Sequence, residues 1–394
     1  MFYLIVFCIL TLLSLLNVQY NDRVSRQMLM PLVVIMLICI AGLRYETGGD
    51  WKTYTTIFNN YPNLQQLIAK PQLMFNRATE EGFVLFCAVV KSISGNVQLL
   101  FFVVTAIDIL LIASALPKYT KYPVLALLCY YCILYFSLEM IYIRQAMAVA
   151  LCFHALQYVQ EKKFFRFMFF ILIACTFHRV AIVLIPLYFV IDKKIPAWVY
   201  LLVIFGGAVV MASGINWIKD IFLTISSWLG DKYADKAEIY TESSLFAVNR
   251  GISIGFLLNL LIFSCVILFK RSIDSRPHGT VHLNMFTLSL FLYYYCYELV
   301  EISNRFRLFF LISVIVILPL IIEALPTFLD KLVGLFITLV YCFSFAMSFF
   351  LELPQAVAYN PYQNYIEFKM HPRPSTGARR LEMSHEHFRQ DRKR

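Results

Sequence analysis

The residues of this sequence that can do chemistry are charged side chains at the ends of long apolar segments. A charge near the centre of a spanning helix costs on the order of 2.5–3.5 kcal/mol, so residues that bear this cost usually face a polar cavity. In the first example, Arg44 and Asp50 flank two glycines. Gly48 and Gly49 permit a tight turn with positive φ, which would present both charges at the membrane boundary. The alternative is that Asp50 only caps a helix running through Phe58, and the sequence leaves both interpretations open.

Arg144 stands within an apolar segment and is followed by alanines at positions 146, 148 and 150, which allow close helix packing. Glu139 lies five positions earlier, which is not the i,i+4 spacing of a good helical ion pair. The guanidinium therefore needs either a buried carboxylate from elsewhere or an anionic ligand. We favour the anionic ligand, because the two-pronged geometry of arginine suits phosphate.

Three further places carry candidate groups. Glu80 and Glu81 precede a short apolar segment, where the helix dipole alone favours negative charge. His178 lies in a tight turn and is either a general base or a polar turn residue. Arg305 and Arg307 begin a later apolar segment. Several arginines with few carboxylate clusters indicate a multiply charged anion such as a diphosphate, bound with no metal and no cofactor.

The elements that must position these residues are long apolar helices. The chain is 60% hydrophobic and 15% charged, whereas soluble domains carry about 25% charge. A span needs roughly 20 apolar residues. The apolar segments predict an all-α, polytopic integral membrane protein with about 12 transmembrane helices plus short re-entrant or interfacial helices. The first segment is predicted to be a retained span, since it lacks the basic start of a signal peptide. Basic loops account for the net charge of +10, so no nucleic-acid partner is predicted.

The Lys and Arg residues of the short loops predict which side faces the cytoplasm. They place the N-terminus and two long loops, residues 44–81 and 214–249, on the opposite side, together with the candidate residues above. Apolar positions in loop 44–81 recur every three or four residues, as in short amphipathic helices at a membrane surface. We predict one transmembrane domain, residues 1–368, followed by a basic, disordered tail, residues 369–394.

In their order along the chain, these motifs resemble those of the EpsG-like, Wzy-type polysaccharide polymerases. The segment from Gly42 through Trp51, with Tyr54 and Phe58, is similar to the first motif of that family. Later segments resemble further family motifs: Glu81-Gly82-Phe83, Arg144-Gln145-x-x-Ala148, Ala174-x-x-x-His178, Asn304-Arg305 and Asn360-Pro361-Tyr362-Gln363-Asn364-Tyr365. Glu80 is not the family's glutamate, and the proline of its E-P-G-F element is missing.

The resemblance implies a metal-independent glycosyltransferase of the bacterial inner (cytoplasmic) membrane. It would join undecaprenyl-diphosphate-linked oligosaccharide units into O-antigen, capsule or exopolysaccharide at the periplasmic or outer face. One lipid-linked unit is the donor and another is the acceptor, with membrane lipid around them. A chain-length regulator and a flippase are the other expected partners.

This activity implies a role for each candidate residue. Asp50 or His178 is expected to be the catalytic base, and Arg144 is expected to stabilise the diphosphate leaving group. The expected substrate-binding residues are Arg44, Tyr45, Glu81, Arg305, Arg307 and Tyr362.

Three other functions compete with this one. A flippase for lipid-linked oligosaccharides would use the same arginines, but the sequence has no repeat halves with matching interrupted helices. A membrane O-acyltransferase acting on sugars would need a histidine with an acidic partner, and His154 has only Glu161 nearby in sequence. A membrane scaffold leaves the arginines at the segment ends unexplained.

Overall fold

The computed structural model describes residues 1–20, 25–75, 79–215, 217–228, 251–351, 353–372 and 374–391. Within these ranges the regular elements are helices, and the extended pairing is an isolated bridge between Arg44 and Asn364. The all-α prediction is therefore confirmed for the described residues. In chain order the main helices are α1 (Phe2–Gln19), α2 (Met30–Gly42), α3 (Trp51–Asn60), α4 (Leu64–Ala69), α5 (Glu81–Ile93), α6 (Val97–Tyr119), α7 (Pro123–Tyr130), α8 (Ile143–Ala155), α9 (Phe164–Phe177), α10 (Ala197–Ser213), α11 (Ile218–Trp228), α12 (Ile254–Leu268), α13 (Gly279–Tyr295), α14 (Val300–Leu311), α15 (Val314–Ala324), α16 (Phe328–Leu351), α17 (Leu353–Tyr359), α18 (Tyr365–Met370) and α19 (Gly377–Asp391).

Shorter helical pieces join the main helices. Two π-helical turns occur in the part of the chain that the structure describes, one before α2 and one directly after α7. The short pieces are Ser25–Leu29, Pro71–Met74, Tyr131–Tyr135, Phe136–Leu138, Gln157–Gln160, Arg179–Val183, Leu184–Leu187 and Lys270–Asp274.

The chain forms two compact units. The first comprises Met1–Tyr188 and Leu325–Arg394, and the second comprises Phe189–Ala324. Helices α1–α9 and α16–α19 thus belong to the first unit, and α10–α15 belong to the second. Every candidate residue except Arg305 and Arg307 lies in the first unit.

Helix α8 lies in the core of the first unit, where it packs against α6 and α9. Its alanines at positions 146, 148 and 150 are buried, as their size predicts for close helix contacts. Helix α2 also packs against α6, and α1 packs against α7. This bundle fixes the start of α8, where Arg144 is the second residue.

In the second unit, the backbone N–H groups of Trp217 and Ile218 at the start of α11 donate to the buried Glu298 carboxylate at 2.8 and 3.1 Å. Negative charge at a helix N-terminus is favourable. On α14, Arg305 is exposed, and the Arg307 guanidinium carbon lies 4.8 Å from the Tyr293 ring centroid. The structure thus places the two arginines in different surroundings on one helix.

Few helices in the described residues are long and apolar enough to cross a membrane. Three pass on length and composition, α1, α6 and α16, and the number rises to five if the bent pairs α10–α11 and α14–α15 each form one span. The sequence expectation of about twelve spans is therefore not confirmed. Helix α5 has 13 residues, which gives about 20 Å at 1.5 Å per residue. It is too short for a hydrocarbon core of about 30 Å, in line with the expected short segment.

The two long predicted loops contain helices. Loop 44–81 holds α3 and α4, which confirms the helices that its apolar spacing predicted. Asn63 and Gln66 form a capping box at the start of α4, in which each side chain accepts from the other residue's backbone N–H. Loop 214–249 holds α11, and its residues 229–249 lie outside the described ranges.

The C-terminal segment differs from the expected disordered tail. Most of it is helical, because α18 ends at Met370 and α19 covers Gly377–Asp391. Helix α19 packs against α17. The basic composition that suggests disorder therefore coexists with specific contacts, which are described below.

Candidate active site

The segment from Arg44 to Asp50 is held by its glycines against the turn that precedes α8. Gly48 has φ +103°, and a Cβ atom there would lie 2.9 Å from the Met140 carbonyl oxygen. Because L side chains rarely adopt this conformation, the sequence needs glycine at this position. The segment from Arg44 to Asp50 leads directly into α3, and Asp50 occupies the position before the first residue of that helix.

Asp50 does not act as a helix cap through its side chain. It stands at the N-cap position of α3, but its carboxylate makes no capping hydrogen bond. The helix through Phe58 that one interpretation required is present, whereas the hydrogen bond that would explain Asp50 structurally is not. Helix capping therefore does not account for the Asp50 side chain.

Arg144 finds a carboxylate partner far away in sequence. Its Nη1 donates to Glu80 Oε2 at 2.5 Å, and the two side chains are 28% and 16% exposed. The guanidinium also hydrogen-bonds the Tyr54 hydroxyl of α3, and its charge acts on the Asp50 carboxylate. We call Asp50, Tyr54, Glu80 and Arg144 the Arg144 cluster. The cluster brings together residues of α3, of α8 and of the position just before α5. The Arg144 and Glu80 side chains in it are partly exposed.

The charges of this cluster shape the chemistry of Asp50. Burial raises the pKa of the Asp50 carboxyl above its ordinary value, and the positive charges of His385 and Arg144 oppose that rise. A carboxylate with a raised pKa is a stronger base than an ordinary aspartate. The Arg144 Nε–H is buried and has no hydrogen-bond acceptor among the described residues, so the guanidinium keeps a donor that the described protein does not use.

Glu81 and His178 lie where α5 and α9 meet. A Cβ on Gly82 would fall 2.1 Å from Thr176 Oγ1, so glycine lets the two helices approach. Glu81 Oε1 accepts from Arg179 Nη2 at 3.2 Å in an exposed pair. His178 Nδ1 accepts the Val180 N–H at 3.4 Å and so caps the following turn. This contact fits the interpretation of His178 as a polar turn residue.

Arg44 does not join the Arg144 cluster in the way that their shared side of the membrane suggested. Its side chain is only 1% exposed, and Nη1 donates to the Ala41 carbonyl oxygen at 2.8 Å. The guanidinium carbon lies 4.6 Å from the Phe101 ring centroid, and Glu139 is among its charged neighbours. A guanidinium enclosed in this way is not accessible to a diphosphate that approaches from solvent. The expected binding of diphosphate by Arg44 stays a prediction.

The aromatic residues of the expected binding set pack within the protein. Tyr362 Oη donates to the Ile40 carbonyl oxygen at 2.9 Å, and the Tyr45 ring stacks on Phe368 at 4.1 Å between centroids. The Tyr45 N–H donates to the Gln363 carbonyl oxygen at 2.8 Å. These contacts tie the first motif to the last one. They explain both tyrosines as structural contacts between distant segments.

The sequence argument set aside one buried acidic side chain, Glu139, and did not consider a second, Asp108. Glu139 is fully buried and accepts from Tyr130 Oη at 2.6 Å. Asp108 is fully buried on α6, and neither carboxyl oxygen has a hydrogen-bond partner among the described residues. An acid within an apolar helix was a sequence feature that could have identified Asp108. The partner that sequence reasoning missed for Arg144 is Glu80.

The C-terminal helix is fastened to the turn that carries Asp50. Arg380 is 7% exposed; its Nη1 donates to the carbonyl oxygens of Ala358 and Pro361 at 3.2 and 2.9 Å, and Nη2 donates to that of Glu46 at 3.0 Å. A Cβ on Gly377 would lie 2.3 Å from Glu46 Cβ, so the helix starts in close contact with the turn. Helix α19 thereby joins the first and last motifs.

Arg380→Ala is expected to destabilise the protein, because a buried arginine that donates to carbonyl oxygens contributes roughly 1.5–3 kcal/mol per charged hydrogen bond. The neighbouring Arg379 is exposed on the same helix, so Arg379→Ala is the matched control and should keep the wild-type melting temperature. The measurement is the melting temperature of the purified protein in detergent. A wild-type melting temperature for Arg380→Ala would show that α19 does not stabilise the Asp50 turn.

The model of the EpsG family matches residues 27–364, well over half of the chain. The matched range includes the Arg144 cluster and ends before α19. No curated protein and no solved structure matches the chain.

Proposed function

Because this chain belongs to the EpsG family, whose members are polysaccharide-polymerase-like membrane proteins, we propose that it polymerises undecaprenyl-diphosphate-linked oligosaccharide units into a surface polysaccharide. The observation that carries the proposal is the Arg144 cluster. It combines a carboxylate with raised pKa and a partly exposed guanidinium at the start of a buried helix. A base for the acceptor hydroxyl and a positive charge for the departing diphosphate can both assist glycosyl transfer from a lipid diphosphate.

The proposed step is a displacement at the anomeric carbon of the donor. A hydroxyl oxygen of the acceptor unit bonds to that carbon while the bond to the diphosphate oxygen breaks. Asp50 takes the hydroxyl proton, and undecaprenyl diphosphate leaves with the bonding electrons. Such proton transfer typically contributes 10²–10⁴-fold. The proximity of Asp50 to Arg144 supports Asp50 over His178, whose Nδ1 caps its own turn.

Arg144 is the group proposed to stabilise the negative charge that builds on the leaving diphosphate. Before substrate binds, the Glu80 carboxylate occupies Nη1 at 2.5 Å, and the diphosphate would replace or share that contact. Guanidinium charge supplies what a divalent metal supplies in other transferases, so we propose a metal-independent reaction. Polymerisation that persists in excess EDTA supports this part, and loss that magnesium restores contradicts it.

We place the cluster on the periplasmic or outer face of the inner membrane, where a flippase delivers repeat units and a chain-length regulator acts on the product. The charge pattern of the loops supports this side. Whether the product is O-antigen, capsule or exopolysaccharide depends on the repeat unit that the host supplies.

The test is the surface polysaccharide ladder of a deletion strain, with and without the wild-type gene. A polymerase deletion is expected to leave a single-repeat band, and the gene restores the ladder. A flippase deletion instead leaves no product on the outer side. An acyltransferase deletion leaves chain length untouched and changes only acetyl content, so either result would replace the proposed function.

A further inference from the structure

A cavity of about 420 Å³ lies between the C-terminal end of α3, helix α4 and the last turns of α5. Its volume is within the range of ligand pockets, about 300–1,000 Å³. Asn59, Asn60, Gln66 and Lys70 give it polar lining groups, and all four are exposed to solvent. The cavity belongs to the first unit alone.

The walls of this cavity are tied together before any ligand binds. Lys91 Nζ donates to the carbonyl oxygens of Phe58, Asn59 and Tyr61 at 3.1, 2.8 and 2.7 Å, so α5 holds the end of α3. The Leu64 N–H donates to Ser92 Oγ at 3.0 Å, which fastens α4 to α5. Binding to a preformed site costs less free energy, because the groups that line the site are already ordered.

The lining suits a polyhydroxylated, uncharged ligand. Carboxamides both donate and accept hydrogen bonds, as sugar hydroxyls do. Leu73 adds partly exposed apolar surface against which the C–H face of a sugar ring can pack. The Lys91 ammonium group already donates hydrogen bonds to three carbonyl oxygens. Among the described lining residues, Lys70 is then the remaining cation, which is little positive charge for a diphosphate.

Two connections link the cavity to the Arg144 cluster. Tyr54 and Asn60 are six residues apart on α3, which is about 9 Å along the helix. On the other side, Tyr61 Oη and Thr79 Oγ1 share a hydrogen bond of 2.8 Å, and Thr79 directly precedes Glu80. A glycan whose anomeric end lies at Arg144 therefore needs only a few sugar rings to reach the cavity.

We propose that this cavity binds a neutral sugar of the oligosaccharide repeat unit, away from the reacting anomeric carbon. This rests on the proposed polymerase function and adds a specificity site to it. The cavity would select repeat units by the hydroxyl pattern of that sugar, while the Arg144 cluster handles the diphosphate that all such donors share.

The experiment uses the full chain, purified in lipid nanodiscs, with lipid-linked repeat units extracted from the host. Ala69 lines the cavity, so Ala69→Trp fills it; Ile68 is 73% exposed and does not line it, so Ile68→Trp is the matched control. We expect the KM for the lipid-linked unit to rise about tenfold in Ala69→Trp and in Asn59→Ala/Asn60→Ala, the size expected from losing one or two hydrogen bonds. Ile68→Trp should keep the wild-type KM.

Free oligosaccharide, released from its lipid by mild acid, serves as a second probe. It should inhibit the wild-type protein competitively and inhibit the two cavity variants about tenfold less. Equal KM values and equal inhibition in wild type and variants would overturn the cavity proposal while polymerisation itself stands. Failure of the wild-type protein to polymerise would instead overturn the proposed function.

Discussion

Arg144→Ala is expected to abolish the polysaccharide ladder and leave a single-repeat band, although the protein still accumulates in the membrane. The loss follows from removing the positive charge that stabilises the departing diphosphate. Removing one such preorganised donor from other enzymes costs about 10²–10³ in kcat. The measurement is the ladder of a deletion strain that carries the variant gene, at a protein level matched to wild type by immunoblot.

Two variants separate this catalytic role from a structural one. Arg179 forms an exposed pair with Glu81, in which the arginine side chain is 75% exposed, and such pairs contribute about 0–1 kcal/mol. Arg179→Ala should therefore give a full ladder. Arg144→Lys keeps the charge but loses the two-pronged geometry, so a short or faint ladder is expected. A normal ladder from Arg144→Ala would remove Arg144 from the reaction.

Glu80→Gln distinguishes the substrate role of Arg144 from its ion pair. If Arg144 served only to neutralise Glu80, then Glu80→Gln would reproduce the defect of Arg144→Ala. We expect a much smaller loss, since a glutamine can still accept from Arg144 Nη1 and the guanidinium remains available to the diphosphate. The two variants can be compared on one gel.

The sequence indicated that Arg144 needs an anionic partner, but it did not identify that partner. Local spacing ruled out Glu139 as an ideal helical partner, and the structure supplies Glu80, 64 positions away. Only the packing of α5 and α3 around the start of α8 brings this carboxylate close. The spacing of residues within one helix cannot reveal an ion pair between residues so far apart in the sequence.

Arg44 shows a different limit of sequence reasoning. Loop charges assigned it to the same side of the membrane as Arg144, and both were expected to meet one diphosphate. A side assignment does not fix the direction in which a side chain points, and Arg44 turns into the protein beneath Phe101. The glycine turn itself was predictable, because Gly48 has the positive φ that its residue type allows.

Composition was the weaker guide for the C-terminal segment, and the number of spans that it predicted is not confirmed. A polar, basic segment suggests disorder on average, yet Arg380 and Gly377 make contacts that fasten α19 to the Asp50 turn. Apolar runs likewise do not reveal where a helix breaks, and α14 and α15 meet at a bend of 43° within one such run. The order of the C-terminal segment depends on the contacts of individual residues, and the number of spans depends on where helices break.

Asp50→Asn is expected to reduce polymerisation by about 10²–10⁴-fold, the usual contribution of a general base, while Asp50→Glu retains part of the activity. For wild type, kcat/KM should rise with pH as the Asp50 carboxyl loses its proton and then level off. Because burial raises the pKa of Asp50, this rise is centred above the ordinary aspartate value of about 3.9. The measurement is kcat/KM against pH with the purified protein and lipid-linked repeat units.

His385 provides the internal check on this assignment, because its positive charge lowers the pKa of Asp50 against the effect of burial. Removing that charge in His385→Ala leaves the pKa of Asp50 higher, so the rise in kcat/KM should move to higher pH. An unchanged profile in His385→Ala, together with an inactive His178→Ala and an active Asp50→Asn, would transfer the role of base to His178. A shifted profile places the proton acceptor at Asp50 and makes α19, which lies beyond the family-matched range, part of the reaction's pH control.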